Sequence, residues 1–474
     1  MNASASPLAQ EATDYYKRLL RPVFAGRKFL LTGRVAVPLG RLSRTLIGLG
    51  AERPFLLADF EGTGSIPGPE DGELRVLGVE GTDLLMQDRH SQRLLDNLSP
   101  KLGRDIDAWD PDRIARCVLT SAVAVSRSVA GRRPYGARPA AWAALEDKVR
   151  IDAFWDAVGV RRAPSRVVAA DYAAVRAVAE ALNSSNGTVW AADARDGLNG
   201  GGLGLRWVRP GDDGWKSFAS LSEISDRVRV MPFLEGIPVS IHGIVFPETV
   251  AVFVPVEMIV LRPLTGDRLF YAGFATAFDP HPDDRESMRN LAYRVGSALR
   301  ETVGYRGPFG IDGILAEDGF LPTEMNTRAG ALLGPLAQGL PELPLEPLCV
   351  AVVEGEQLDY RPDLLERAIV ESADRHRTCA GWSVTRTRIV DNGSFDVVKD
   401  GDDYREARRG EKPHGGMQYG PAPQGGFVRF SLEGHRVASG PSTAPEVVRA
   451  FRLADRLLGT EFGDLETAKV VRPL

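Results

Sequence analysis

Cysteine, histidine and lysine are all scarce in this chain of 474 residues. The three cysteines, Cys117, Cys349 and Cys379, lie far apart and show neither a disulfide pairing nor zinc-ligand spacing. The six histidines form no HExxH cluster. Lysine supplies only 8 of the 58 basic residues, so a lysine in a defined sequence context is more informative than usual. The three isolated cysteines fit the reducing cytoplasm, where we expect the protein to reside.

Long apolar runs and a strong charge imbalance are also absent. No run reaches the roughly 18 residues that a membrane helix needs, and the longest candidate, VAVFVPVEMIVL, favours a core strand. The opening segment lacks a basic stretch followed by an apolar one, so we expect no secretory signal. A net charge of −5 and an isoelectric point near 5.8 provide no footprint for nucleic acid. We therefore expect neither a membrane nor a nucleic acid as partner.

The length of the chain predicts about three domains. In residues 1–136, the strand-like runs KFLLTGRVAVPLG and PFLLADFEGTG enclose an amphipathic helix and predict a βαβ unit. Asp110 and Pro111 indicate a helix start at 111–130. Residues 137–354 alternate helices and strands. In residues 355–474, Asn392-Gly393 predicts a hairpin turn between WSVTRTRIVD and SFDVVKDG, and the Gly/Pro-rich stretch 408–426 predicts a loop.

The stretch TEMNTRAG, at 323–330, places polar groups at every second position. Alternate residues of a strand face the same side, so Glu324, Asn326 and Arg328 would share one face. Another acid, Asp312, lies twelve residues upstream of Glu324 in FGIDGILAEDGF. Pro322 removes one backbone donor from the second strand.

The turn between these strands decides whether the two acids meet. A two-residue turn at Asp318-Gly319 would point Asp312 away from Glu324. A three-residue loop from Glu317 to Gly319, with the glycine left-handed, would pair the two acids. We predict the second register. Two carboxylates beside an amide oxygen need a cation among them, and Mg²⁺ suits such a set. The alternative is a surface hairpin with scattered polar side chains.

Two further features are candidates for phosphate contacts. The segment DGLNGGGLG, from Asp196 to Gly204, has five glycines in nine residues, so its backbone amides could approach an anion. It matches neither a Walker loop nor GxGxxG, and the alternative is a flexible hairpin. Lys148, in LEDKVRIDAFWDAVGV, lies near a helix start; its alternative is a solvated surface lysine.

In this order, Lys148, the glycine-rich loop, the hinge-like VMPFLEG and the hairpin EMNTR resemble the ATP-grasp family. EMNTR is similar to the stretch in biotin carboxylases and other carboxylate–amine ligases. The resemblance covers about 140–345. It implies an α/β (α+β) fold: a Rossmann-like preceding domain, an ATP-grasp core of two α+β subdomains and an extra C-terminal α+β domain. The last domain resembles that of peptide ligases from pheganomycin-type biosynthesis.

The resemblance implies a role for each candidate residue. Asp312, Glu324 and Asn326 would hold the Mg²⁺ that bridges the phosphates of ATP. Lys148 would contact the α- and β-phosphates, and Arg328 would stabilise an acyl phosphate. Other expected contacts with ATP come from the glycine-rich loop, which would close over the γ-phosphate, and from the hinge, which would meet adenine: Gly197, Gly200, Gly201 and Gly202; Met231, Pro232, Phe233, Leu234 and Glu235.

The remaining candidates are less well defined. Arg262, at the end of VEMIVLRP, is a second catalytic candidate, and the alternative is a surface arginine. The strand GTVWAADA lacks the second lysine usual in the family, and Arg195 could supply a charge instead. The acid that usually binds ribose is replaced by Pro238, so that Glu235 or His242, or neither, would serve.

The resemblance implies an ATP-dependent ligase that joins a carboxylic acid to an amino acid or peptide amine. The amide, a peptide bond, would form through an acyl phosphate with release of ADP and phosphate, in the biosynthesis of a peptide natural product such as an antibiotic. Analogy also suggests a homodimer. The alternative is a non-catalytic nucleotide-binding regulator or scaffold. The missing lysine favours that alternative, and the intact hairpin opposes it.

Overall fold

The computed structural model describes residues 6–81, 83–121, 126–193, 195, 202–331 and 333–472. In these ranges the chain forms three β-sheets flanked by helices. Short 3-10 turns occupy Ala144–Glu146 and Gly434–Arg436. The α-helices are α1 (Pro7–Phe24), α2 (Ala36–Gly48), α3 (Leu84–Asp96), α4 (Pro100–Trp109), α5 (Ala140–Ala143), α6 (Ile151–Val158), α7 (Tyr172–Leu182), α8 (Trp215–Ser222), α9 (Pro282–Val303), α10 (Leu333–Leu336), α11 (Leu345–Glu354), α12 (Pro362–Arg375) and α13 (Ala444–Leu458).

The strands follow the alternating pattern expected of an α/β chain, with a long antiparallel run in the second half. They are β1 (Phe29–Val35), β2 (Phe55–Phe60), β3 (Glu73–Val76), β4 (Arg116–Leu119), β5 (Arg133–Pro134), β6 (Arg166–Ala169), β7 (Thr188–Ala191), β8 (Leu205–Val208), β9 (Arg227–Pro232), β10 (Ile237–Val245), β11 (Val250–Pro263), β12 (Phe270–Ala275), β13 (Gly307–Ala316), β14 (Gly319–Asn326), β15 (Cys379–Thr385), β16 (Gly393–Asp400), β17 (Asp403–Glu406), β18 (Gly415–Ala422), β19 (Gly425–Leu432) and β20 (Leu465–Glu466). No helix in the described ranges is both long and apolar enough to cross a membrane.

The first five strands form a parallel sheet in the order β3-β2-β1-β4-β5. Strands β1 and β2 are buried along nearly their whole length, as expected where helices cover both faces of a sheet. Leu31 packs with residues of α1 and α2, whereas Leu30 packs with Ile106 of α4 on the opposite face. The predicted Rossmann-like arrangement is therefore confirmed.

A second, four-stranded antiparallel sheet has the order β6-β9-β7-β8. Residues of α7 and α8 cover one face, where Trp190 and Val230 are fully buried. The opposite face carries a smaller apolar cluster that includes Val189, Met231 and Phe233. This second face is the one that holds the predicted hinge.

The remaining strands form one large sheet in the order β14-β13-β10-β11-β12-β15-β19-β18-β16-β17, with β20 paired to β11. The sheet continues across the domain boundary predicted between residues 354 and 355, because β12 pairs with β15 through Gly273 and Gly381. Gly273 has a φ of 130°, and a Cβ there would meet the carbonyl oxygen of Ala380 at 2.1 Å. Only glycine permits this close junction. The division at 354 and 355 stays a prediction.

The β13–β14 hairpin pairs Asp312 with Glu324, but the three-residue loop predicted for it is wrong. Ala316 pairs with Gly319, so the loop has only two residues. The register then shifts by one residue between Gly313 and Asp312. A bulge after Pro322, which has no N–H for the ladder, therefore supplies the extra residue that was assigned to the turn.

Three other local predictions are also wrong. Asp110 ends α4 instead of starting a helix, and its carboxylate binds Arg132 and the backbone of Ala115. Strand β15 pairs with β19, so Asn392-Gly393 is not the turn of the predicted hairpin. The stretch 408–426 contains β18 and the start of β19. Asp110 pairs with Arg132 further along the chain and β15 pairs with β19 instead of β16, whereas β18 and β19 form a hairpin within the stretch that was predicted to be a loop.

We expect Trp190→Ala to lower the free energy of unfolding by about 3–5 kcal/mol, because it leaves a cavity under the small sheet. The Trp190 ring is fully buried against Gly214, and its Nε1 donates to Thr188 Oγ1 over 2.9 Å. Trp215, which is 55% exposed, provides the matched control, with an expected loss below about 1 kcal/mol. Denaturant unfolding followed by circular dichroism measures both, and equal losses would contradict this account of the core.

Candidate functional site

The three predicted metal ligands lie together on the β13–β14 hairpin. Asp312 and Glu324 are cross-strand partners, and the amide nitrogen of Asn326 donates to Asp312 Oδ2 over 2.8 Å. The other amide atom, Asn326 Oδ1, is buried and has no hydrogen-bond partner among the described residues. Burial, together with the Glu324 carboxylate, raises the pKa of the Asp312 carboxyl above its usual range.

This donor set fits a hard divalent cation. A cation would satisfy the orphaned amide oxygen and relieve the repulsion between the carboxylates of Asp312 and Glu324. No group of three or more His, Cys, Asp and Glu side chains suited to a metal occurs in the described ranges. An ion at the hairpin would therefore depend on the Asn326 amide and on ligands from outside the chain, which is a common arrangement for Mg²⁺.

Two residues of β10 support Asp312 from the neighbouring strand. Ser240 Oγ donates to Asp312 Oδ1 over 2.5 Å, and it lies 2.9 Å from His242 Nε2. Burial lowers the pKa of the His242 ring to about 4, so the ring is neutral near pH 7. A Cβ on Gly310 would meet the His242 ring at 2.7 Å, so glycine at this position leaves the space that the ring occupies. His242 thus supports the carboxylate site instead of facing solvent.

Lys148 joins the β13–β14 hairpin to the segment that follows β7. Its Nζ contacts Glu324 Oε1 over 3.1 Å and Asp193 Oδ1 over 3.2 Å, while its backbone nitrogen donates to Asp193 Oδ2 over 2.5 Å. The side chain is buried, so the solvated surface lysine considered from the sequence is ruled out. Burial opposes the charge, but the Glu324 and Asp193 carboxylates outweigh it and raise the pKa of Lys148 above its usual range.

Arg328 is held by a buried acid, Glu146, which the sequence analysis missed. The Glu146 carboxylate, 4% exposed, forms ion pairs with Arg328 and Arg138 and accepts the backbone N–H of Thr327 over 2.9 Å. Burial alone would raise the pKa of Glu146, but the two guanidinium groups lower it below its usual range. Arg328 therefore stands in a fixed position beside the carboxylates of the hairpin, whose charges also favour its cationic form.

The predicted hinge begins with the last two residues of β9, and its apolar residues Met231 and Phe233 lie on the second face of the small sheet. Met231 and Phe233 are buried, and the Phe233 ring stacks on Trp207 with centroids 4.4 Å apart. Arg262 lies over Phe233 and pairs with Glu235 through contacts of 2.6 and 3.0 Å. Pro232 and Leu234, the other hinge residues, are half-buried.

Arg262 belongs to this hinge and not to the neighbourhood of Arg328. Val256 is level with Asp312 across β10, and Arg262 lies six residues further along β11. At roughly 3.4 Å per residue, the two positions differ by about 20 Å along the sheet. Of the two residues considered for contact with the ribose, Glu235 is already paired with Arg262, and His242 is buried against Ser240.

The wall opposite the hairpin lacks the second lysine, and Arg195 does not replace it. Arg195 pairs instead with Asp226 beyond α8, over 2.7 Å. The cross-strand partner of Ala191 is Arg229, a buried residue that binds Asp152 at 2.5 and 2.9 Å and a backbone carbonyl of β14 at 3.0 Å. The charge opposite the hairpin thus comes from β9.

The glycine-rich loop is described only in part. Gly197, Gly200 and Gly201 lie outside the described residues, so their predicted contacts stay predictions. Gly202 has a φ of 67°, and a Cβ there would meet nothing within 4 Å. At the end of the loop, a Cβ on Gly204 would meet the carbonyl oxygen of Ala192 at 1.8 Å, which requires glycine for the approach to β7.

The last described residues contact both the hinge and the β13–β14 hairpin. The backbone nitrogen of Lys469 donates to Glu235 Oε1 over 3.1 Å, and Arg472 donates to the carbonyl oxygen of Glu317 over 2.7 Å. Strand β20, just before them, pairs with the end of β11. The C-terminal segment therefore holds two walls of the site in relation to each other.

Glu146, Asp193, Arg229 and Ser240 all support the site but were not predicted. Glu146 lies two residues before the scarce Lys148, and Ser240 shares the i, i+2 face of β10 with His242. These spacings are the only sequence signals for them. Asp193 and Arg229 contact the site through side-chain bonds to residues distant in sequence, which local sequence does not encode.

We expect Glu146→Gln to lower the free energy of unfolding by about 3–5 kcal/mol, because it leaves Arg138 and Arg328 without their shared counter-charge. Glu301→Gln is the control, since that side chain is 66% exposed and should change stability by less than about 0.5 kcal/mol. Thermal and denaturant unfolding measure the difference. A wild-type stability for Glu146→Gln would show that the buried ion pairs contribute nothing to the fold.

No protein-family model matches the chain, and no curated protein matches it. Among solved structures, the chain is similar to carboxyaminoimidazole ribonucleotide synthase from Aspergillus clavatus complexed with ATP, with a TM-score of 0.50 at 12% identity over 91% of this chain and 99% of that one. The biotin carboxylase–ATP complex from Campylobacter jejuni has a TM-score of 0.53 at 13% identity over 87% and 88%. An ADP complex of N5-carboxyaminoimidazole ribonucleotide synthetase has a TM-score of 0.50 at 12% identity over 91% and 98%. The chain therefore has the fold of these enzymes, which is the predicted ATP-grasp fold with a Rossmann-like domain in front of it.

Proposed function

We propose that this chain is an ATP-dependent ligase that joins a carboxylic acid to an amine. The observation that carries the proposal is the hairpin site, where Asp312 and Glu324 stand beside the orphaned Asn326 oxygen, with Lys148 and Arg328 at its edges. Solved structures of the same fold were determined with ATP or ADP, which supports the same nucleotide here.

The hinge and the hairpin divide the contacts with ATP between them. The backbone of Met231 to Leu234 would meet the edge of adenine, beside the Phe233 and Trp207 rings, which stack on each other. The phosphates would then lie toward Lys148 and the hairpin. The Arg262–Glu235 ion pair holds the end of the hinge in place. Because Glu235 is already paired, other groups would bind the ribose.

Asp312, Glu324 and Asn326 would hold Mg²⁺, which when bound offsets the phosphate charge during phosphoryl transfer. Lys148 neutralises Glu324 in the structure. Once Glu324 binds a cation, the ammonium group of Lys148 is available to a phosphate oxygen. Asp193 keeps its backbone contact with Lys148 throughout and so holds the lysine in place.

The reaction follows from the poor reactivity of a carboxylate toward an amine. The carboxylate oxygen of the acid attacks the γ-phosphorus of ATP, ADP leaves, and an acyl phosphate forms. The amine nitrogen then attacks the acyl carbon, phosphate leaves, and the amine loses a proton. Arg328, fixed by Glu146, would stabilise the oxyanion that develops at the acyl carbon. Exclusion of water from the acyl phosphate is the role proposed for the glycine-rich loop.

The finer part of the proposal is a peptide bond between an acid and an amino acid or peptide, in the biosynthesis of a peptide natural product. The resemblance of the C-terminal domain to pheganomycin-type ligases supports it. A cytoplasmic location and a homodimer belong to the same proposal. A nucleotide-binding scaffold without turnover is the second candidate, and it is favoured by the absence of a second lysine from β7.

With ATP, Mg²⁺, a panel of carboxylic acids and a panel of amino acids and peptides, we expect ADP, phosphate and an amide, identified by mass spectrometry. Glu324→Gln should lower turnover at least about 100-fold while the fold is kept, because a cation ligand is lost. Glu317→Gln, an exposed change on the same hairpin, should leave turnover unchanged. Formation of AMP and pyrophosphate would contradict the proposed reaction. Nucleotide binding without turnover for any pair would favour the scaffold.

We expect Arg328→Ala to lower the rate of amide formation about 10²–10³-fold, because an oxyanion contact made only in the transition state is lost. The dissociation constant of a non-hydrolysable ATP analogue should change little, since Lys148 and the hinge are intact. Single-turnover assays and calorimetry separate the two quantities. Equal losses in binding and rate would assign Arg328 to the nucleotide instead.

A further inference from the structure

A largely enclosed cavity of about 70 Å³, lined by both polar and apolar side chains, lies in the N-terminal domain, at the carboxyl ends of its parallel strands. The strand order reverses between β1 and β4, and the cavity opens at this switch point under α3. In open parallel sheets this is the position where ligands bind. Its lining residues are Thr32, Gly33, Leu57, Asp59, Leu77, Asp88, Ser91, Gln92, Leu95, Leu119, Ser121 and Arg127.

Asp59 is the unusual group in this cavity. It is 3% exposed, and one carboxylate oxygen accepts a hydrogen bond from Ser91 Oγ over 2.7 Å. It forms no ion pair with any described residue, whereas the neighbouring Asp88 is paired with Arg34 at 3.2 Å. Burial without a paired cation raises the pKa of Asp59 to about 6. The charge of Arg34 only partly offsets this burial, so a cationic group placed in the cavity would stabilise the Asp59 carboxylate.

Arg127, another residue of the lining, also has an unused atom. Its Nη2 donates to the carbonyl oxygen of Gln92 over 3.1 Å and contacts Asp96 at 2.8 Å. Its Nε is buried and has no hydrogen-bond partner among the described residues. The cavity thus holds one carboxylate that lacks a cation and one guanidinium N–H that lacks an acceptor.

We propose that this cavity binds a small α-amino acid, with its ammonium group at Asp59 and its carboxylate at Arg127. At roughly 10–15 Å³ per water-sized atom, the cavity has room for about five to seven non-hydrogen atoms, which is the size range from glycine to serine. The four leucines of the lining provide an apolar wall for a methyl group. This site is separate from the carboxylates of the hairpin, and the inference does not rest on the proposed ligase activity.

The test is calorimetry on the full chain without ATP, with L-alanine as the probe. We expect saturable binding of L-alanine, and at least tenfold weaker binding of ethylamine and of propionate, which each carry only one of the two charged groups. Asp59→Asn should weaken L-alanine binding about 10–100-fold, because a charge-assisted hydrogen bond is lost. Asp112→Asn, an exposed change in the same domain, should bind L-alanine like the wild type.

Two further variants identify the site. Ser121→Leu fills the cavity without changing its charges and should abolish binding. Arg328→Ala alters the hairpin site and should leave L-alanine binding unchanged. Circular dichroism and thermal unfolding confirm that each variant folds. Absence of binding to the wild type, wild-type affinity in Asp59→Asn, or loss of binding only in Arg328→Ala would each overturn the proposal.

Discussion

The contact of Lys148 with Glu324 and Asp193 is the interaction on which the candidate site depends. Glu324 belongs to the large sheet, and Asp193 follows the last residue of β7 in the small sheet, so one ammonium group joins the two. Lys148 and Asp193 are shielded from water and Glu324 is shielded in part, so the opposite charges attract each other more strongly than they would on an open surface. The contact links the small sheet, which carries the hinge, to the large sheet, which carries the hairpin.

The buried charged groups around this contact are of two kinds: those with counter-charges from the chain and those without. Glu146 is fully compensated, because Arg138 and Arg328 both bind it, and it serves as a rigid support. The hairpin is compensated only in part: Lys148 pairs with Glu324, but Asp312 has no ion pair among the described residues and the amide oxygen of Asn326 has no partner there. Buried polar groups without a hydrogen-bond partner in the protein are typical of sites where a bound ion or ligand supplies that partner. This contrast separates the groups that shape the site from those that would bind a cation.

The same reasoning extends to the N-terminal domain. Asp59 is buried without an ion pair at the switch point of a parallel sheet, whereas the buried acid Asp110 in that domain is neutralised by Arg132. The domain therefore contains a second incomplete charge, in a cavity of its own. The cavity lies at the edge where the parallel arrangement collects the strand ends, so its position follows from topology.

The alternation of Glu324, Asn326 and Arg328 was readable from the sequence, because a strand has a fixed period of two. The βαβ unit of the N-terminal sheet followed from apolar patterning, whereas the α/β (α+β) fold class was implied by the resemblance to the ATP-grasp family. The pairing of Asp312 with Glu324 was predicted through a turn that does not exist; a bulge at Pro322 produces it instead. Partners such as Glu146 could not be predicted, because its contact with Arg328 joins segments 182 residues apart in sequence. The sequence by itself thus determined which side chains share a strand face, and only the tertiary structure decided which buried charges neutralise one another.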